Sequence, residues 1–417
     1  MRTVNRRVFL ATTAVGLSRS AGAQTADVPE EIRRLRPMTG GIQPITAAER
    51  QARVEKARRL MRDNGLGAVI MESGSSMFYF TGTHWAVTDR SFLLLLPARG
   101  EPVWIVPADD EPRAQEAIRL GTDIRAWKGA DGEFSRIAQA LRDGGIAMGR
   151  VGLEERTRFA VFDGLRKHAP ALEFTGGDRV TAGCRMIKSA AELALLQRAN
   201  EITLAAYRAA LSRLSEGMTQ HELSAYVAAA YQALGVRGEA MASFGKYTAY
   251  PHGSIQPQKL QEGDLVLVDD GCSVEGYQSD ITRTVVFGKP SARQRQVWNL
   301  ERKAQDAALA AAKPGATCES VDAAARKVIT DFGFGPGYKV PGLPHRTGHG
   351  IGLDGHEWPY LVRGDQTRLL PGMCFSDEPT IAIYGEFGVR LEDCMYITED
   401  GARMFTRPSA SIDNPFG

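Results

Sequence analysis

The sequence is poor in cysteine: five among 417 residues, an odd number with no Cys-x-x-Cys. That argues against a disulfide framework. Cys374 and Cys394 fall on neighbouring predicted strands and form the one candidate bridge, although buried thiols account for both more simply. An excess of charge of one sign is also missing. Lys plus Arg total 51 against 49 for Asp plus Glu, a net charge of +2, which gives no electrostatic reason to expect nucleic acid or an anionic membrane as partner. The apolar run at 8–17 is too short for a bilayer, which needs roughly 20 helical residues. The first half holds no Gly-rich phosphate loop and no nucleophile elbow, and the chain has no His-Glu-x-x-His, so a helical mononuclear zinc site is not implied.

What is present suits a globular enzyme of two domains, with 43% hydrophobic and 24% charged residues. Residues 1–23 carry Arg6-Arg7, Phe9-Leu10, a mildly apolar run and the small-x-small close Ala21-Gly22-Ala23. The pattern resembles a twin-arginine export signal, with Asn5 where Ser or Thr is usual, and implies a periplasmic address. Residues 24–45 are polar, proline-punctuated and expected to run extended over the surface. From 46 to 180, short apolar runs (AVIM, FLLLLP, PVWIVP) alternate with helical spacing, which predicts an α/β layer domain. From 185 to 407 the texture changes. Two long helices (190–214, 221–234) precede strands at 264–269, 277–287, 373–383 and 389–398, with helices at 294–312 and 320–332 between them. This predicts an α+β domain.

The chemistry concentrates in that second domain. Asp269 and Asp280, eleven residues apart in LVLVDDGCSVEGYQSDITRT, fall on strands whose alternation brings both to one side of a hairpin. Solvated turn acids would give the same pattern, and the next segment weighs against them. HRTGHGIGLDGHE places His345, His349 and His356 close together in a chain of only seven histidines, with glycines at 348, 350, 352 and 355 that keep the backbone slim for a buried metal or substrate. Glu378 and Glu392 sit in apolar, strand-like stretches, where an unpaired carboxylate is costly. Arg390 shares a face with Glu392, so a plain ion pair is the competing account. Four carboxylates and one histidine suffice to neutralise two divalent metal ions and leave room for a bridging hydroxide. Oxygen-rich ligation favours Mn²⁺, Co²⁺ or Fe²⁺, with Zn²⁺ an alternative.

The order Asp, Asp, His, Glu, Glu, with SDITRT, GHGIGLDGHE, DEP and VRLED, resembles the pita-bread metallopeptidases, nearest to aminopeptidase P and prolidase. Residues 46–180, with MFYFTG and FLLLLP, resemble their creatinase-type N-terminal domain, while the ligand set departs from metal-free creatinase. The resemblance implies hydrolysis of the peptide bond before proline in a peptide substrate, and a homodimer. It implies Asp280, His349 and Glu378 on one metal, Asp269 on the other, and Asp280 and Glu392 bridging. Glu378 matches the proton shuttle, His252 a histidine that hydrogen-bonds substrate, and His356 the group facing the scissile carbonyl. His345 and Arg390 match positions on the proline side, with Arg390 alternatively holding Glu392.

An apolar wall for the proline ring has candidates in Tyr250, Tyr384, Phe375 and Trp358. His84-Trp85, after a turn at MFYFTG, is a candidate to reach a neighbouring subunit. His168 and His221 read as helix-surface residues. Other metal-dependent hydrolases or lyases, or a non-catalytic binding protein, can share this scaffold. Both a dipeptidase and an aminopeptidase fit the pattern.

Overall fold

Thr46 starts the first long helix because its hydroxyl caps the Glu49 amide while Glu49 caps Thr46 in return, and Ser189, Thr219 and Ser291 use the same reciprocal device. These boundaries come from a computed structural model, which describes residues 28–130 and 132–417. The export-signal reading of residues 1–23 lies outside the described residues.

The first domain runs α1 (Glu30–Arg33), α2 (Ala47–Asp63), β1 (Leu66–Glu72), α3 (Ser75–Thr81), β2 (Leu93–Pro97), β3 (Val103–Pro107), α4 (Glu111–Ala117), β4 (Asp123–Trp127), α5 (Gly132–Asp143), β5 (Gly149–Leu153), α6 (Phe159–His168), β6 (Leu172–Gly176) and α7 (Asp178–Arg185). Its six strands form one mixed sheet ordered β4-β3-β2-β1-β5-β6. Both faces are covered. Ala68 and Ile70 of β1 pack with Ile137 and Leu141 of α5, whereas Val69 and Met71 pack with the helices of the opposite face. Burial on two sides explains the unbroken apolar runs.

Three expectations change here. The described part of the segment expected at 24–45, residues 28–45, is anchored rather than loose: it contains α1, buries Ile32 and Ile45, and donates the Met38 amide to the Leu234 carbonyl at 2.9 Å. MFYFTG is a helix, α3, closed by left-handed Gly82 at φ 74°. Helix α7 packs against α2 and α3, so the first domain extends through Arg185, beyond the expected end at 180.

The second domain comprises α8 (Ala190–Leu211), α9 (Gln220–Ala233), β7 (Arg237–Gly238), β8 (Met241–Phe244), β9 (Leu265–Asp269), β10 (Cys272–Val274), β11 (Tyr277–Gln278), β12 (Arg283–Val286), α10 (Ala292–Ala311), α11 (Cys318–Asp331), β13 (Gly348–Gly350), β14 (Glu357–Leu361), β15 (Cys374–Asp377), β16 (Thr380–Ile383), β17 (Phe387–Arg390), β18 (Asp393–Ile397) and β19 (Ala402–Met404). Its strands separate two cores. Val266, Val268, Cys374 and Cys394 face the core under α8 and α9, while Leu265, Phe375 and Met395 face the core under α10 and α11. Three of the four expected long strands are broken: 277–287, 373–383 and 389–398 each divide into two shorter strands. All five cysteines are buried and unpaired, and Cys374 and Cys394 lie out of register, opposite Tyr396 and Ser376. No helix among the described residues is long and apolar enough to cross a membrane.

Candidate metal centre and substrate cavity

Each strand break carries one of the acids. Asp280 lies between β11 and β12, Glu378 between β15 and β16, and Glu392 between β17 and β18, while Asp269 ends β9. A strand that leaves one sheet for another turns its backbone, so the residue at the turn escapes strict alternation and can point between the sheets. Beside Asp269, Asp270 adopts a left-handed φ of 99°, uncommon outside glycine, and its carboxylate accepts the Met241 amide at 3.0 Å.

His349 is central in β13, only 1% exposed. Its Nδ1–H donates to the Gly350 carbonyl at 3.0 Å, and its Nε2 faces Glu378 Oε1 at 3.1 Å and Asp280 Oδ2 at 3.5 Å. The flanking glycines are required by the protein's own packing. A Cβ on Gly348 would meet the Ser376 carbonyl oxygen at 2.1 Å, and one on Gly350 the Glu357 carbonyl oxygen at 2.4 Å, whereas Gly355 faces open space.

Thr282, not singled out from the sequence, ties the acids together. Its hydroxyl lies 2.6 Å from both Asp269 Oδ1 and Glu392 Oε2 and accepts the Arg390 Nε–H at 3.0 Å. One hydroxyl proton serves only one carboxylate, so the other contact requires a proton on the acid. Arg390 pairs with Asp269 and donates to the Pro251 carbonyl at 3.0 Å, so the acid it pairs with is Asp269 and not Glu392, the partner in the alternative reading of this residue. Potential ligand atoms fall into overlapping triads, each within 4.8 Å: His349, Glu378, Glu392; Asp269, Asp280, Glu392; and Asp280, His349, His356.

The electrostatics are those of excess negative charge. Burial, then Asp269 and Glu378, push the Asp280 carboxyl well above its ordinary range; burial, then Asp280 and Glu378, do the same to Glu392. Burial and Asp269 raise Asp270 to about 7. Burial would also raise Glu378, but His349 outweighs it and holds that carboxyl low. Glu392 Oε1 is buried with no hydrogen-bond partner. A cluster of carboxylates that burial and mutual repulsion keep from ionising together fits divalent cations, whose charge and oxygen preference supply what is missing.

His252, His345, His356, Arg390 and the five ligand candidates line one cavity of about 470 Å³, joined by Pro251, Asp270 and Arg346. The His356 ring lies 3.9 Å from that of His349, and its Nδ1 accepts from Arg346 at 2.8 Å. Burial, then the neighbouring His349 and Arg346, push its pKa down to about 4, so the ring is neutral with its proton on Nε2. His345 is spent on the protein: Nδ1–H donates to the Arg346 carbonyl at 2.7 Å, and Nε2 accepts from Thr380 at 2.9 Å. His252 is exposed at the rim.

None of the four expected wall aromatics lines the cavity. Phe375 is fully buried in the core, and Tyr250 stacks on Tyr384 at 5.4 Å with both exposed. His84, exposed, and Trp85 line an open crevice with Ser273, Gly276 and Gln278. His221 is exposed, while His168 packs on Phe134.

Fold and site together define a metallopeptidase. Residues 194–399 match metallopeptidase family M24 and residues 53–187 match the creatinase/prolidase N-terminal domain. The chain is 33% identical over 367 residues to the Xaa-Pro dipeptidase of Lactobacillus delbrueckii subsp. lactis, covering 86% of this chain and 98% of that one, and 31% identical over 363 residues to the Xaa-Pro dipeptidase of Pyrococcus furiosus, covering 86% and 99%. Among solved structures, dipeptidase PepE from Mycobacterium ulcerans superposes with a TM-score of 0.81 at 33% identity, over 88% of this chain and 98% of that one. The chain belongs to metallopeptidase family M24 and has the pita-bread fold behind a creatinase-type domain.

Proposed function

We propose that this enzyme hydrolyses the peptide bond before proline, using two divalent ions held by Asp269, Asp280, His349, Glu378 and Glu392. The observation that carries the reading is the pair of ligand triads sharing Glu392, an acid buried with one oxygen unpartnered. Bound there, the ions supply Lewis acidity toward the scissile carbonyl and a water made nucleophilic at neutral pH.

The chain's own groups then divide the work. Glu378, kept ionised beside His349, takes a proton from the attacking water and delivers it to the leaving nitrogen. Neutral His356 presents Nε2–H to the oxygen on which charge develops. His252, at the rim, meets the substrate backbone. His345, with both nitrogens engaged, offers ring carbons, a suitable neighbour for a proline ring that brings no amide N–H. Arg390 fixes Asp269.

Manganese as the metal, a homodimer, and export by the twin-arginine route complete the reading. The acid-rich donor set supports manganese, and residues 1–23 support export. The test is turnover of Gly-Pro, against Gly-Ala, by metal-stripped protein with and without Mn²⁺. Preferential, Mn²⁺-dependent cleavage of Gly-Pro is expected; no turnover at full metal loading contradicts it. Metal analysis, cell fractionation and light scattering check the remaining parts.

A further inference from the structure

Two of the acids in the metal reading face each other across a gap in one hairpin. Asp377 of β15 lies opposite Asp393 of β18, and Thr380 of β16 lies opposite Arg390 of β17. The same register, carried through the break, sets Glu378 opposite Glu392. That rung is open: the Glu378 amide donates to the Thr347 carbonyl at 2.8 Å and the Glu392 amide to the Thr282 carbonyl at 3.2 Å, each outside the hairpin. Like charges directly opposite on neighbouring strands repel. The ladder therefore does not fix how far apart these two carboxylates stand, and an ion that takes both needs that distance fixed.

Gln305, fully buried on the inner face of α10, spans the last closed rung. Its Nε2 donates to the Asp377 carbonyl at 3.1 Å on one strand and to Asp393 Oδ2 at 3.2 Å on the other. Each of those residues is one step along the chain from a ligand acid. Arg302 sets the orientation of the amide: a guanidinium has no acceptor, so it donates to Oε1 and leaves Nε2 for the two oxygens. Arg283, also buried, grips one strand of this pair only, through the Glu392 carbonyl at 2.8 Å and Asp393 Oδ1 at 2.7 Å. Thr282 ties Glu392 to Asp269, and Ser376 bonds Glu378 at 3.2 Å within its own strand, so neither spans the pair. We propose that Gln305 is a positioning residue for the metal centre: by stapling β15 to β18 it holds Glu378 and Glu392 at the spacing of the ion they share with His349. The proposal rests on the two-metal reading above and adds the group that sets the geometry of one of the two positions.

The test is isothermal titration of the metal-stripped full chain with Mn²⁺, as wild type, Gln305→Met, Arg302→Met and Glu378→Gln, beside urea unfolding of each. Glu378→Gln marks which of the two Kd values belongs to the position shared with His349. Gln305→Met keeps the length of the side chain without its donor, and should weaken that Kd by about 10- to 100-fold while the other changes by less than about threefold. Arg302→Met frees the amide to turn, and should weaken the same Kd by a smaller factor of about three to ten. A lowered urea midpoint with both Kd values weakened alike would overturn the proposal, because Gln305 would then serve only the packing of α10. So would two unchanged Kd values in Gln305→Met or, if that variant does not fold, in Arg302→Met. If wild type binds no Mn²⁺, the two-metal reading itself fails, and this proposal with it.

Discussion

Two clusters of charge lie on either side of the loop 352–357. On the side of the first domain, Arg185 pairs with Asp354 at 2.6 Å and with Glu357, Lys188 pairs with Glu357 at 2.7 Å, and Arg156 pairs with Asp354 at 3.0 Å. Glu155 completes the set at 4.0 Å from Arg185, so three cations meet three acids. On the other side, Asp269, Asp280, Glu378 and Glu392 face a single committed guanidinium, Arg390. The residue types are nearly the same, but the balance differs. Although burial opposes it, Lys188 and Arg185 hold the Glu357 carboxyl low, and Arg185 does the same for Asp354, whereas Asp280 and Glu392 are pushed high. Balanced charge joins the domains and grips the loop that carries His356; unbalanced charge makes a place for cations.

Breaking each side should therefore give different phenotypes. The largest effect is expected from Glu378→Gln, which keeps the shape but removes the proton carrier: kcat should fall roughly 10²–10⁴-fold while the urea midpoint stays within error. Arg185→Met leaves Glu357 to Lys188 alone and Asp354 to Arg156 alone, and should cost about 2–3 kcal/mol of stability in urea unfolding, with a smaller loss of activity per folded molecule. Metal removal should act on the site alone. Saturating Mn²⁺ at 100 times its Kd should add about 2.7 kcal/mol per bound ion to wild type, and far less to Glu392→Gln.

The smallest effect, and the sharpest contrast, is in pH. An acid whose folded-state pKa is raised loses its proton first in the unfolded chain, so Asp280 and Glu392 make the metal-free protein less stable as pH rises above the ordinary carboxylate range toward their raised values. Glu357 and Asp354 have the opposite sign. Their contribution is fully present above their ordinary values of 4.5 and 3.8, and is lost as pH falls through the depressed ones. Metal-free protein should thus lose stability in urea titrations as pH rises above the ordinary carboxylate range, and bound Mn²⁺ should remove that loss.

Much of this was legible in the sequence, and the remainder was hidden for identifiable reasons. Thr46-x-x-Glu49 and Ser189-x-x-Glu192 announce helix starts through local chemistry, and the five ligand candidates stand out because acids and histidine are costly in apolar surroundings. The strand breaks at Asp280, Glu378 and Glu392 leave no such trace. Residues around them are buried on both faces, so apolar spacing continues through the turn from one sheet to the next. Phe375 likewise reads as a wall residue until the two cores are seen. Thr282 is an ordinary residue type whose role arises from a partner far along the chain, Glu392. SDITRT was visible as a motif, but no local pattern distinguishes a threonine that bridges two acids.

The contrast between the two clusters holds only if the acid excess exists to bind two cations. Isothermal titration of metal-stripped wild type and Glu392→Gln with Mn²⁺ tests it most directly. The expected result is two ions per wild-type chain, with binding at both positions weakened in Glu392→Gln because both triads share that residue. No binding to wild type, or an unchanged isotherm in Glu392→Gln, would contradict it.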